Sequence, residues 1–153
     1  MDIERRWTTA AGYEAICAFV RNSHRCGYVL IPEWHPCHGV CYSEPNPALA
    51  EAWKEAQAGE IGKRGIISVL IAVGSNNEAP RADAVFNVHG SVTFSGDLPG
   101  LDGFWYGFDC AHCDDATSFS PHGIHRTEEY VVAECESLAA QLKEIAGVPA
   151  EVA

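Results

Sequence analysis

The stretch 104–115 constrains the fold most, because it passes from an aromatic run to a cluster of reactive groups without a turn signal in between. Its first part, residues 104–108, has the aromatic composition of a buried strand. Its second part, residues 109–115, contains carboxylates, thiols and one imidazole. We therefore expect polar groups directly at the end of a core strand, where a rigid scaffold can hold reactive side chains in place.

Size and composition favour one globular domain that spans residues 1–153. The chain is 47% hydrophobic and 20% charged, which is typical of a domain with its own core. The net charge of −11 would repel a phosphate backbone, and the ten Lys and Arg residues are scattered along the chain. We therefore do not expect nucleic acid as a partner.

The sequence also argues against a membrane partner and a secretion signal. No apolar run approaches the ~20 residues that a membrane span needs. Residues 1–7 lack the apolar segment of a signal peptide, so we expect a cytoplasmic location. In that reducing setting the seven cysteines would be thiols, metal ligands or small buried side chains rather than a disulfide framework.

Hydrophobic spacing predicts an α+β fold: a mainly antiparallel sheet packed by helices, with a long C-terminal helix. Apolar residues at three- and four-residue steps predict helices over residues 8–22 and 46–58, and from Thr127 to a stop at Gly147. Apolar and β-branched runs predict strands over residues 27–32, 64–74, 84–94 and 104–108. The glycine-rich segment 95–103 would join the last two strands as a hairpin, and residues 116–126 read as an irregular loop.

A histidine and aspartate group is the first candidate site. If Asp109 ends a strand, the turn that follows brings it close to His112, and a carboxylate beside an imidazole fixes its tautomer for general base work. His89 would lie on the neighbouring strand within side-chain reach. An inward-facing Glu134 on the last helix would add a ligand or a hydrogen-bond acceptor.

A zinc site is the second candidate. Residues 110–113 form a Cys-x-x-Cys pair, and residues 35–41 hold four potential ligands, so the two halves together could make a tetrahedral site. Zinc is the first choice among divalent metals because of its preference for nitrogen and sulfur. The candidate ligands outside the histidine and aspartate group are His35, Cys37, His38, Cys41, Cys110 and Cys113.

A third interpretation makes Cys110 a nucleophile. His112 or His89 would activate its thiol, and Asp109 would orient the base. Because cysteine hydrolases bring this pair together across the fold, His89 is favoured over His112 as the partner.

Three segments carry a resemblance to a known group of proteins: residues 88–95, 105–112 and 130–138. They resemble small uncharacterised proteins encoded by bacteriophage and actinobacterial genomes. In that group one strand bears His-Gly-Gly, another ends Gly-Phe-Asp-Cys-Ala-His-x-Gly-Asp, and a helix bears Tyr-Val-x-x-Glu-Cys. The resemblance covers residues 85–140 well and residues 27–45 weakly. The resemblance implies a candidate site, but the group has no established activity. A phage-encoded chain of this kind would be located in the host cytosol.

Carried over by position, the resemblance points to five site residues. Two departures stand out: Ser91 replaces the second glycine of His-Gly-Gly, and Asp114 replaces the glycine before the last aspartate. The cysteines of the zinc hypothesis outside residue 110 are not part of the resemblance, which therefore favours the histidine and aspartate site. The residues it implies are His89, Asp109, His112, Asp115 and Glu134.

Three functions remain open at this point. The first is a small hydrolase with catalytic residues His89, Asp109, His112 and Asp115, either metal-free or around a divalent metal held by His89, Asp109, His112 and Glu134. The second is a non-catalytic binding protein, either a small-ligand sequestrant or an acidic inhibitor of a host protein, with Trp34, Trp105 and Tyr106 available for stacking. The third is a zinc-stabilised structural domain. The oligomeric state is left open.

Overall fold

The computed structural model describes residues 1–58 and 79–146, and within them the chain forms one five-stranded sheet with helices. The strands are β1 (Asp2–Thr8), β2 (Glu14–Val20), β3 (His24–Ile31), β4 (Phe94–Leu98) and β5 (Leu101–Asp109). The helical segments are a 3-10 helix (Pro47–Leu49) and the α-helices Ala50–Ala58, Ala82–Val85 and Glu128–Ala146. The strand order is β1-β2-β3-β5-β4, and every neighbouring pair is antiparallel.

The helix Glu128–Ala146, called the C-terminal helix below, packs on one face of this sheet. Its apolar stripe is fully buried, and β3 lies directly beneath it. Gly27 allows this close approach, because a Cβ there would overlap the Phe108 ring and the Cys135 thiol. The buried stripe consists of Val131, Cys135, Leu138, Ala139, Leu142 and Ile145.

The opposite face of the sheet carries a second, smaller apolar cluster. Trp105 and Ile16 are completely buried in it, and Leu98 closes it from β4. Tyr28 and Phe94 pack at its edge as a T-shaped pair with ring centroids 5.6 Å apart. The sheet is therefore covered on both faces near its centre.

The predicted α+β class and several predicted elements are confirmed. The strand predicted over 27–32 lies within β3, and that over 104–108 lies within β5. The helix predicted over 46–58 begins where expected, because the Asn46 side chain accepts a hydrogen bond from the Ala48 N–H. The C-terminal helix begins after Thr127, whose hydroxyl accepts from the N–H of Tyr130 at 3.1 Å.

The helix predicted over residues 8–22 is wrong, since this segment contains the end of β1 and the whole of β2. β2 lies between two other strands, and its residues 15–18 are buried without interruption. A strand covered on both faces has a continuous apolar run, and such a run also satisfies the spacing of a short helix.

The strand predicted over residues 84–94 is also wrong. A short helix, Ala82–Val85, is followed by a loop in which Gly90 and Ser91 both have positive φ values, 66° and 73°. Two consecutive left-handed residues cannot continue a strand. The hairpin partner of β5 is therefore β4, which begins at the last residue of the predicted strand and continues into the segment predicted as a connection, and the turn falls at Gly100.

Two further predictions lie outside the described residues: the strand over 64–74 and the helix stop at Gly147. Within the described ranges, no helix combines the length and the apolar character that crossing a membrane requires.

Candidate functional site

The site forms where the loop after the short helix Ala82–Val85 meets the C-terminal helix. His89 is fixed there at its backbone, because its N–H donates to Oε1 of Glu134 at 2.7 Å. Its ring stands edge-on to the ring of Tyr130, with centroids 5.4 Å apart. Tyr130 and Glu134 lie one turn apart on the same face of the helix, so one helical face holds both the backbone and the ring of His89.

Asp115, His89 and Tyr130 form a continuous hydrogen-bonded chain. Nε2 of His89 lies 2.8 Å from Oδ2 of Asp115, and Nδ1 lies 2.7 Å from the Tyr130 hydroxyl. A carboxylate can only accept, so Nε2 of the neutral imidazole carries the proton, and Nδ1 is the acceptor for the Tyr130 O–H. This tautomer is assigned from the hydrogen-bond partners.

Asp115 is a buried, ionised carboxylate, with 1% of its surface exposed. Its Oδ1 accepts from Nε of Arg126 at 2.7 Å, and its Oδ2 also accepts the backbone N–H of His112 at 3.0 Å. Burial alone would raise the pKa of Asp115, but the hydrogen bonds from Arg126, His89 and the His112 backbone outweigh it and lower the pKa. The charge that orients His89 is therefore present at neutral pH.

Arg126 connects this carboxylate to the tyrosine. Its guanidinium carbon lies 4.9 Å from the centroid of the Tyr130 ring, and its carbonyl accepts from Nη1 of Arg25 at 3.0 Å. The pKa of Tyr130 is raised, first by burial and then by the negative charge of Glu134, while Arg126 opposes both effects. Tyr130 is thus a neutral, half-buried phenol with its hydroxyl facing a base.

Asp109 and His112 form a second pair beside the first. Oδ1 of Asp109 lies 3.3 Å from Nε2 of His112 without the alignment of a hydrogen bond, and it accepts the Ala111 N–H at 3.1 Å. Nε2 of His112 is buried and has no hydrogen-bond partner among the described residues. The ring centroids of His112 and His89 are 5.9 Å apart.

The fold brings together the five residues that the sequence singled out, but it pairs them differently. His89, Asp115 and Glu134 are in direct contact, and His112 reaches them through its backbone and its ring. The carboxylate that orients His89 is Asp115, whereas Asp109 stays with His112.

Sequence reasoning missed Tyr130 and Arg126 as members of the site. The position of Tyr130 four residues before Glu134 was the available signal, because i and i+4 side chains share a helix face. For Arg126 the sequence carried no comparable signal, because it lies in an irregular loop.

The two histidines among the zinc ligands proposed in residues 35–41 are engaged in other hydrogen bonds. His35 is buried. Its Nε2 donates to the Leu142 carbonyl at 2.8 Å, and its Nδ1 accepts from the Cys37 N–H at 3.0 Å. Nδ1 of His38 donates to the carbonyl of Ile31 at 2.9 Å. Within residues 1–58 and 79–146, no three His, Cys, Asp or Glu side chains are close enough to hold a metal ion, so the proposed four-ligand arrangement with Cys110 and Cys113 is not found there.

The interpretation of Cys110 as a nucleophile is contradicted by its surroundings. The thiol is 1% exposed, and burial, with Asp115 nearby, raises its pKa to about 12. A buried neutral thiol is a poor nucleophile, so Cys110 is a core residue. Two of the proposed stacking residues, Trp105 and Tyr106, are likewise fully buried, whereas Trp34 is exposed.

Comparisons with known proteins found no match among protein-family models, curated proteins or solved structures.

Proposed function

We propose that the protein is a small hydrolase in which Tyr130 is the nucleophile, His89 its general base, and Asp115 the positioning carboxylate. The observation that carries this proposal is the chain of two hydrogen bonds, 2.8 Å and 2.7 Å, through the two nitrogens of His89. The order of groups is that of an acid, a histidine and a hydroxyl, which recurs on unrelated folds that perform acyl transfer.

The reaction balances with these groups alone. The oxygen of Tyr130 attacks the carbonyl carbon of an ester while its proton moves to Nδ1 of His89, and the negative charge of Asp115 stabilises the imidazolium. That proton then passes to the leaving alkoxide, which departs as an alcohol and leaves an ester on Tyr130. Water attacks this ester with Nδ1 as the base, the bond from the acyl carbon to the Tyr130 oxygen breaks, the acyl group departs as a carboxylic acid, and the proton on Nδ1 returns to the Tyr130 oxygen.

The raised pKa of Tyr130 is compatible with this role, because its proton leaves only as the new bond forms. A serine hydroxyl in the same arrangement has an even higher intrinsic pKa and still attacks with the help of histidine. Arg126 favours charge on the phenol oxygen, since its guanidinium lies against the ring.

Asp109 and His112 would act as positioning residues. The backbone N–H of His112 holds Oδ2 of Asp115, which is the oxygen that orients His89. Asp109 accepts the Ala111 N–H and so stabilises the turn that presents His112. We assign His89 as a base rather than a metal ligand, because both of its nitrogens are already in hydrogen bonds.

The experiment uses a sulfonyl fluoride, which reacts with activated phenols and needs no knowledge of the substrate. Phenylmethanesulfonyl fluoride should modify Tyr130 faster than Tyr42, another half-buried tyrosine, as measured by peptide mass spectrometry. His89→Gln should slow this modification by about two orders of magnitude, the usual contribution of a general base. Equal rates at Tyr130 and Tyr42 would refute the proposal.

Turnover is measured in parallel with 4-nitrophenyl acetate. Tyr130→Phe removes one oxygen and should abolish the protein-dependent hydrolysis, whereas the matched variant Tyr42→Phe should not change it. Full activity in Tyr130→Phe would exclude Tyr130 as nucleophile. An unreactive Tyr130 in a wild-type protein that leaves the ester intact would favour a binding protein without turnover.

A further inference from the structure

A cavity of about 300 Å³ lies at the end of the sheet that holds the turn between β2 and β3. Its wall on β3 consists of His24, Cys26 and Tyr28, which face the same side because strand residues alternate. β5 contributes Asp109, which pairs directly with Cys26 across the two strands. The remaining lining comes from Val20, Arg21, Thr93, Phe94 and Phe108.

The apolar part of this cavity is an aromatic corner. Tyr28 and Phe94 stand at 87° to one another with ring centroids 5.6 Å apart, so a planar group can pack on either ring. Burial and a neighbouring Asp109 raise the pKa of Cys26 to about 11, with a smaller opposing effect from Tyr28, so its thiol adds a neutral surface. A flat or aromatic ligand body therefore fits this side of the cavity.

The cavity holds charges of both signs. Asp109 keeps its negative charge, which acts on Cys26, but its oxygens already accept from Ala111 and Thr93 and one lies 3.3 Å from His112. Arg21, in contrast, has no ion-pair partner among the described residues. In a chain of net charge −11, an unpaired guanidinium beside a cavity is a local exception.

The turn between β2 and β3 fixes the backbone of Arg21, whose side chain is exposed. Arg21 and Asn22 have φ values of 54° and 51°, and the N–H of Ser23 closes the turn on the Val20 carbonyl at 2.9 Å. His24 lies next to this turn, with Nδ1 3.1 Å from the Ser23 hydroxyl. One permanent cation and one imidazole therefore line the same end of the cavity.

From this arrangement we propose that the cavity binds a small aromatic anion, with its carboxylate or phosphate on Arg21 and His24 and its ring on Tyr28 and Phe94. A guanidinium recognises both anions through two parallel hydrogen bonds. This site does not depend on the proposed chemistry at Tyr130. Asp109 is the lining residue that also contacts His112, and none of the lining residues belongs to the Asp115–His89–Tyr130 chain.

The test is a titration of the full chain with phenyl phosphate, phenylacetate and benzylamine, followed by calorimetry and by NMR shifts of the Tyr28 and Phe94 rings. We expect at least one anion to bind with shifts at both rings, and benzylamine to bind more weakly. The stronger anion identifies phosphate or carboxylate as the preferred group. Failure of both anions at about 10 mM, or equal affinity for benzylamine, would overturn the proposal.

Arg21→Gln should weaken anion binding by about tenfold, the usual effect of losing a charge-assisted hydrogen bond. Arg6→Gln is the matched control, because Arg6 is also exposed but pairs with Glu14 far from the cavity. Unchanged affinity in Arg21→Gln would also overturn the proposal. Tyr130→Phe should bind the anion as the wild type does, so that loss of hydrolysis and loss of binding can be told apart.

Discussion

Gly90 and His112 are packed so closely that a Cβ added at Gly90 would overlap the His112 imidazole ring. Gly90 also has a φ of 66°, which residues with a side chain rarely adopt. The glycine after His89 thus serves two purposes, since it turns the loop and makes room for the second histidine of the site.

Gly90→Ala should therefore lower the free energy of unfolding by about 2–4 kcal/mol, from backbone strain and steric overlap together. Gly39→Ala is the control, because Gly39 has a φ of 79° but a Cβ added there would meet no atom within 4 Å. The difference between the two variants in urea unfolding measures the overlap. Equal destabilisation would mean that His112 moves aside at no cost.

Asp115 should make the protein less stable in acid. Its pKa is lowered in the folded state, so its contribution is present above the unfolded-state pKa of about 4 and is lost as the pH falls through the folded-state pKa. The free energy of unfolding should therefore fall steeply below about pH 4 in the wild type.

Asp115→Asn should reduce this slope and cost about 3 kcal/mol at pH 7, because it leaves Arg126 without its buried partner. Asp114→Asn is the matched control, since Asp114 is exposed and next in sequence. Denaturation with urea between pH 3 and pH 7 measures both the pH slope of the free energy of unfolding and its loss at pH 7. A wild-type pH slope in Asp115→Asn would contradict the assigned role.

The cysteines should fall into two reactivity classes. Cys113 is exposed, and Cys41 is partly exposed with a pKa lowered by hydrogen bonds from Ser43 and Ser95. Both should react with iodoacetamide at pH 8 in the native protein, as followed by mass spectrometry. The other five thiols are buried and should react only in denaturant: Cys17, Cys26, Cys37, Cys110 and Cys135. Rapid native labelling of Cys110 would reopen its role as a nucleophile.

Chelation should leave the melting temperature unchanged. The histidines proposed as zinc ligands at residues 35 and 38 are hydrogen-bonded to backbone carbonyls, so folding does not require a metal to satisfy them. A zinc-stabilised domain would instead unfold with its metal removed. Calorimetry with and without a chelator distinguishes these cases. Elemental analysis then compares the metal content of the wild type with that of His89→Ala and His112→Ala. A metal content that is lost in both variants would favour the metal-dependent form of the hydrolase.

The sequence predicted secondary structure best in segments where a single pattern of apolar residues dominates. β5 and the C-terminal helix were predicted correctly, because an aromatic run and a long three- and four-residue repeat each fit one structure. β2 was mistaken for a helix because both of its faces are buried, which makes its apolar run continuous. Both faces are buried because β2 lies between two other strands, and the local sequence pattern does not encode that position.

By itself, the sequence predicted that Asp109, His112 and Asp115 follow a core strand and that Glu134 lies on the C-terminal helix. Only the tertiary structure decided their partners. His89 meets a carboxylate 26 residues away and a phenol 41 residues away, since the left-handed turn at Gly90 and Ser91 ends any strand and directs the loop onto the C-terminal helix. Such contacts depend on the path of the loops through space, and spacing along the chain reports only on neighbours within one element.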